Sequence, residues 1–176
     1  MDDVQGSAVF SDDGRFRWRL DRWWANGLRV LICGCNPSKA GATENDPTII
    51  HTIKLIRTLG YPGFTMVNWS PYIATNPQDL REWREQSSES VQVEPKNVGY
   101  VGRLANSSAA SVVAWGNLVP LIPSTDFMLY ALSCGGRVPL MCFGTTKGGA
   151  PKHPMARGKH RIDPGTELEV WRPAHS

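Results

Sequence analysis

"RVLICGCNPSKAGATENDPTII", residues 29–50, is the stretch on which the fold turns. Its first part, 29–35, is a continuous apolar run without the alternation of a half-exposed strand. Strands covered on both faces read this way, and they belong to parallel sheets. The run breaks at Asn36-Pro37-Ser38 and wanders through small and polar residues. Asp46 then offers an N-cap side chain, and Pro47 suits the first helical position. Ile49, Ile50, Ile53, Ile56 and Leu59 mark one face of the helix, and Gly60 ends it. A buried strand that stops in a polar loop before a helix predicts a binding edge.

The same alternation continues down the chain. "FTMVNW" (64–69), "SVVAWG" (111–116) and "VPLMCF" (138–143) read as further buried strands. Asn76-Pro77 opens a short helix running through Trp83. Val98, Val101 and Leu104 mark another helix face. Ser124 caps a helix over Phe127 to Leu132, which stops at Gly135-Gly136. Residues 86–95, "QSSESVQVEP", read as an exposed connection. Near the start, "RFRWRL" (15–20) alternates as a half-buried strand with Arg15, Arg17 and Arg19 on its outward face. Val9-Phe10 is its expected hairpin partner across the "SDDG" turn. Four strand–helix alternations after residue 28 predict an α/β fold. The expected architecture is three-layered, with a central four-stranded parallel sheet and a peripheral N-terminal β-hairpin. No repeat or boundary interrupts residues 1–176, so a single domain is expected.

Composition narrows the function classes. Of 176 residues, 41% are hydrophobic and 20% charged, as in a globular domain with a real core. The formal charge is only +3, but it is unevenly spread. Residues 145–161, "TTKGGAPKHPMARGKHR", hold Lys147, Lys152, Arg157, Lys159 and Arg161 and no acid. Such a field suits phosphates, although a solvated loop reads the same way. The opening "MDDVQGS" is acidic and polar, unlike a signal peptide. No apolar run approaches the roughly 20 residues of a membrane span. A cytoplasmic monomer without membrane contact is expected. Cys33, Cys35, Cys134 and Cys142 form no C-x-x-C pair. Reduced, buried thiols are expected, with no metal and no cofactor.

Ligands of parallel sheets bind beyond the carboxyl ends of the strands. The segment after each strand is therefore informative. The four segments are Asn36-Pro37-Ser38, then Asn68-Trp69-Ser70-Pro71-Tyr72, then Trp115-Gly116-Asn117, and last the basic loop with His153-Pro154. Their polar groups should converge on one rim.

Taken in order, these segments resemble the signatures of the uracil-DNA glycosylase superfamily. "GCNPS" resembles its first motif, "VNW" its base-reading second-strand asparagine, and "AWGN" its third-strand Trp-Gly-Asn. "KHP" resembles the His-Pro that opens its DNA-intercalating loop. The resemblance covers about residues 29–157 and implies that superfamily's fold. The whole chain also resembles a bacterial and phage family, domain of unknown function 1643. "FSDDGRFRWRL", "NPSKA", "DPTI", "VNWSPY", "AWG" and "TKGGAPKHP" carry that match. Its name implies no activity.

The resemblance implies base flipping and N-glycosidic hydrolysis, in which negative charge grows on the leaving base. Asn36 is then the water-positioning residue, standing where the most active branch has aspartate. An amide orients a water but cannot take its proton. Asn68 reads a pyrimidine edge, and His153 donates to the base oxygen. Ser38 stands where that branch has a bulky tyrosine, which implies room for a 5-substituted pyrimidine. Trp69 or Tyr72 stacks on the flipped base. Lys39, Lys152, Arg157 and Lys159 meet the DNA backbone, and Met155 is a wedge or a cover.

Each residue has a structural alternative: Asn36 as a turn residue, Asn68 as a brace, His153 as a surface side chain, Trp69 and Tyr72 as core. Asp46 and Glu44 are acids near the first loop, and Asp46 is expected to serve as the helix cap. The functional expectation is a nucleobase-recognising protein acting on DNA or a nucleotide. The leading form is a glycosylase-like hydrolase of an altered or 5-substituted pyrimidine. Two alternatives are a transferase of the phage hypermodified-pyrimidine type and a non-catalytic reader of modified bases.

Overall fold

The structure is a computed structural model that describes residues 3–38, 41–74, 76–118 and 125–175. Its centre is a seven-stranded mixed sheet. The strands are β1 (Gln5–Phe10), β2 (Arg17–Trp23), β3 (Val30–Gly34), β4 (Gly63–Asn68), β5 (Ser111–Val113), β6 (Leu140–Cys142) and β7 (Glu169–Arg172). Their spatial order is β1-β2-β4-β3-β5-β6-β7. β3 pairs parallel with β4 and β5, and β5 pairs parallel with β6. β1, β2 and β7 join antiparallel. The α-helices among the described residues are α1 (Pro47–Thr58), α2 (Pro77–Gln86), α3 (Ser90–Ala105) and α4 (Thr125–Leu132).

Alternate residues of the central strands feed opposite faces. Val30 and Ile32 of β3, Phe64 and Met66 of β4, and Val112 of β5 pack with Ile49, Ile53, Leu55 and Ile56 of α1. Leu31, Cys33, Val67 and Val113 pack with Val101 and Ala105 of α3 and with Met128, Leu129 and Leu132 of α4. Helices therefore cover both faces of the sheet. Each fully buried aliphatic side chain contributes about 1.5–3 kcal/mol. The expected caps form: Asp46 Oδ1 accepts from Ile49 N at 2.8 Å, and Asn76 Oδ1 accepts from Gln78 N at 2.6 Å. No helix among the described residues is long and apolar enough to cross a membrane.

Several expectations are corrected. The N-terminal hairpin is not peripheral, because β2 pairs with β4 through Leu20–Met66 and extends the sheet. The four-stranded sheet is thus too small, with β1 and β2 on one side and β7 on the other. Residues 86–95 are not all connection, since α3 begins at Ser90. The Ser90 hydroxyl donates to Arg84 O and Ser87 O and ties that start to the end of α2. Pro95 and the polar composition hide this first turn in the sequence. Finally, Arg17 does not face outward. Val9 pairs with Arg19 but Phe10 pairs with Arg17, so Trp18 is the extra residue of a bulge. The bulge turns Arg17 inward, and it is only 2% exposed.

Candidate functional site

The carboxyl ends of β3, β4 and β5 meet at one rim. Trp69 N donates to Gly34 O and Ser70 N donates to Cys35 O, which carries the β3–β4 pairing past the strand ends. Gly34 is opposite Asn68, and a Cβ on Gly34 would lie 2.8 Å from Asn68 Nδ2. The amide occupies the space that a Cβ would take, so a larger residue there would push Asn68 aside. Gly116, after β5, has φ +69°, and a Cβ there would lie 3.3 Å from His153 Cβ. Gly116 N also donates to Pro151 O, which holds the basic loop against the end of β5.

Asn68 is buried, and Arg17 Nη2 donates to its Oδ1 at 3.4 Å. An arginine only donates, so this contact decides which amide atom is oxygen. Asn68 Nδ2 makes no hydrogen bond to another described residue. Burial lowers the Arg17 guanidinium to about 10, against the pull of the Asp46 carboxylate, and Arg22 adds to the lowering. Arg17 still carries its charge at neutral pH. Behind the amide, Asn97 Nδ2 of α3 donates to both Asn68 O and Trp69 O at 3.0 Å.

His153 is half-buried, and its Nδ1 accepts from Met155 N at 3.1 Å. In the neutral ring the proton is therefore on Nε2, which can donate. Burial lowers the His153 pKa below its ordinary value, and the Asp46 carboxylate partly offsets that. Asp46 itself joins two segments. Its Oδ1 caps α1, while its Oδ2 accepts from the Ser38 hydroxyl. Ser38 is exposed at the end of the Asn-Pro-Ser turn. Asn36 Nδ2 donates to Ala74 O at 2.8 Å and to Pro37 O at 3.3 Å, so this amide ties the β3 loop to the segment after β4.

The loop before α1 is held by a residue that sequence reasoning missed. Arg22 donates to Asn45 Oδ1, Ala42 O, Gly41 O and Glu44 O, and to Asp21 O of its own strand. Gly6 makes the room, since a Cβ there would lie 2.6 Å from both Ala42 O and Arg22 Nη1. Arg17, Arg22 and Asn97 were all absent from the expected site. The only signal for the arginines was a strand with four arginines and one aspartate, "RFRWRLDR", too many charges for one solvated face.

The aromatic candidates separate. Trp69 is core: its ring packs edge-on against Trp115 at 5.3 Å and takes no part in the rim. Tyr72 is half-buried and stacks on Trp83 at 4.7 Å, with Phe16 tilted beside both. Of the cationic candidates, Lys39 lies outside the described residues. The Lys152 side chain folds over Gly144, with Nζ 3.2 Å from where a Cβ would stand. Arg157 and Lys159 are exposed, on the loop that returns to α1 where His51 Nε2 meets Ile162 O at 2.9 Å. Met155 is 40% exposed.

The thiols stand apart from this chemistry. Burial raises Cys35 to about 11 and Cys33 further, so neither is a thiolate at neutral pH. A cleft of about 680 Å³ opens at the opposite, amino ends of the strands, lined by Tyr61, Ala109, Cys134 and Pro139. Arg137 beside it is spent on Cys134 O and Asn106 Oδ1.

No curated protein and no solved structure matches the chain. One family model does, that of "Protein of unknown function (DUF1643)", over residues 17–155. That span begins at the buried Arg17 and closes just past His153. The chain belongs to this family.

Proposed function

We propose that this protein is a nucleobase-recognising hydrolase that cleaves the N-glycosidic bond of an altered or 5-substituted pyrimidine in DNA. The carrying observation is the Asn68 amide, oriented by Arg17 and leaving Nδ2 as a donor at the carboxyl ends of the parallel strands. A buried donor of fixed direction selects a carbonyl oxygen, because a ligand without one leaves it unpaired. His153 Nε2–H supplies a second donor, suited to an oxygen that gains charge as the base leaves. Tyr72, whose ring already stacks on Trp83, is the proposed stacking ring for the base. The small Ser38 leaves space beside a 5-substituent. Arg157 and Lys159 suit backbone phosphates. The order of these groups along the chain agrees with a uracil-DNA glycosylase-like layout, and the reading has the protein act as a cytoplasmic monomer.

A second reading has an observation of its own. The Asn36 amide nitrogen is committed to Ala74 O, as in a structural brace. A site without its usual water-directing group fits a base-modifying transferase or a non-catalytic reader of modified bases. Intact-mass measurement decides between them. The protein is incubated with oligonucleotides carrying a panel of altered pyrimidines. Hydrolysis removes the mass of one base and leaves an alkali-labile site. A transferase with its donor adds mass, and a reader binds without changing mass.

A further inference from the structure

Hydrolysis of a glycosidic bond needs a group that takes the proton of the attacking water. Asn36 cannot do this, and its amide nitrogen is already held by two carbonyls. The rim nevertheless contains a carboxylate, contributed by the N-cap residue of α1. Asp46 uses only Oδ1 as the helix cap. Its Oδ2 points at a hydroxyl, that of Ser38 at the end of the Asn-Pro-Ser turn. A carboxylate oxygen has two acceptor sites, so Oδ2 keeps one beyond Ser38. The charged groups that interact with Asp46 come from two other segments: Arg17 and Arg22 of β2, and His153 of the basic loop. A carboxylate that serves only as a cap needs neither the hydroxyl nor these neighbours.

We infer that Asp46 is the catalytic base of this site, with Ser38 fixing the direction of Oδ2. This rests on the hydrolase reading. The water oxygen forms a bond to C1′ of the sugar as the C1′–N bond breaks. The electron pair of that bond leaves with the base, whose oxygen is held by His153 Nε2–H. The proton of the water goes to Asp46 Oδ2 and then to solvent, and the base anion is protonated from solvent. Before proton transfer, the negative charge of Asp46 also opposes the positive charge that develops on the sugar.

The test uses Asp46→Asn and Asp46→Ser. Both keep a good capping oxygen for Ile49 N, so α1 retains its start. Single-turnover base release and equilibrium binding are measured on the oligonucleotide that the wild type cleaves. Loss of a positioned general base lowers turnover about 10²–10⁴-fold. Affinity for the intact oligonucleotide should stay within a few-fold, since the lost interaction forms only in the transition state. Both variants cleaving within a few-fold of wild type would overturn the assignment of Asp46 and leave the hydrolase reading standing. A wild type that releases no base from any member of the panel would overturn both.

Discussion

Arg17 Nη2 donates to Asn68 Oδ1 across 51 residues of chain, from a bulged antiparallel strand to the end of a parallel one. The contact sets the amide direction and places a buried cation beneath the rim. Arg17→Lys should therefore act on recognition more than on the fold. An ammonium lacks the planar fork, so Asn68 is free to turn. Discrimination between pyrimidines that differ in their carbonyl groups should fall about tenfold, at about 1–3 kcal/mol of stability. Competitive binding with paired oligonucleotides and urea unfolding measure the two effects. Unchanged discrimination would show that Arg17 does not set the amide.

Gly34→Ala should perturb the same amide from the other side. The added methyl would stand 2.8 Å from Asn68 Nδ2, well inside contact distance. Overpacking of this kind costs about 1–3 kcal/mol. Base binding should weaken with it, while Gly60→Ala, where nothing lies within 4 Å, affects only the helix end. Comparing both variants by thermal unfolding and by binding separates the site effect from general strain.

Asn97→Ala should destabilise the protein by about 2 kcal/mol, because two backbone carbonyls at the end of β4 lose their donor. Asn97→Asp leaves acceptors facing acceptors and should be worse. Equilibrium urea unfolding checks the order, and a smaller loss for Asp than for Ala would contradict it.

His153 gives stability a dependence on pH. Its folded pKa lies below the unfolded value of 6.5 because of burial. Between the two values the unfolded chain binds more protons, so stability rises with pH in that window. As pH falls through 6.5 toward the folded pKa, wild type should lose stability that His153→Gln does not lose. Urea midpoints at pH 7.5 and 5.5, about one unit either side of the ordinary histidine range, should show it.

The basic loop should contribute affinity without selectivity. Arg157→Ala and Lys159→Ala should weaken DNA binding alike for all sequences. Each should reduce the slope of log K against log salt by about 0.9 if the side chain neutralises one duplex phosphate. A slope unchanged in both would remove this loop from the DNA interface.

Much of the scaffold was legible because its causes are local. An N-cap acts over three residues, so Asp46-Pro47 and Asn76-Pro77 announced α1 and α2. A strand with both faces covered must be apolar throughout, so 29–35 and 64–69 announced β3 and β4. Placing strand ends side by side brings Gly34 against Asn68 and Gly116 against His153. Alternation alone also sends Asn68 and Trp69 to opposite faces, which makes Trp69 core once Asn68 is at the rim. Other features had no local cause. β7 is a four-residue edge strand that exists only because β6 offers it a partner. A single bulge at Trp18 reverses the side of β2 on which Arg17 emerges, and period-two reading places it outward. Asp46 looked complete as a cap, and only the folded loop brings the Ser38 hydroxyl to its other oxygen. The sequence by itself determined the central strands β3 and β4 and the starts of α1 and α2, because capping and apolar patterning act within a few residues. The tertiary structure alone decided which buried polar groups meet, because each such pair is chosen by satisfying hydrogen bonds between segments far apart in the chain.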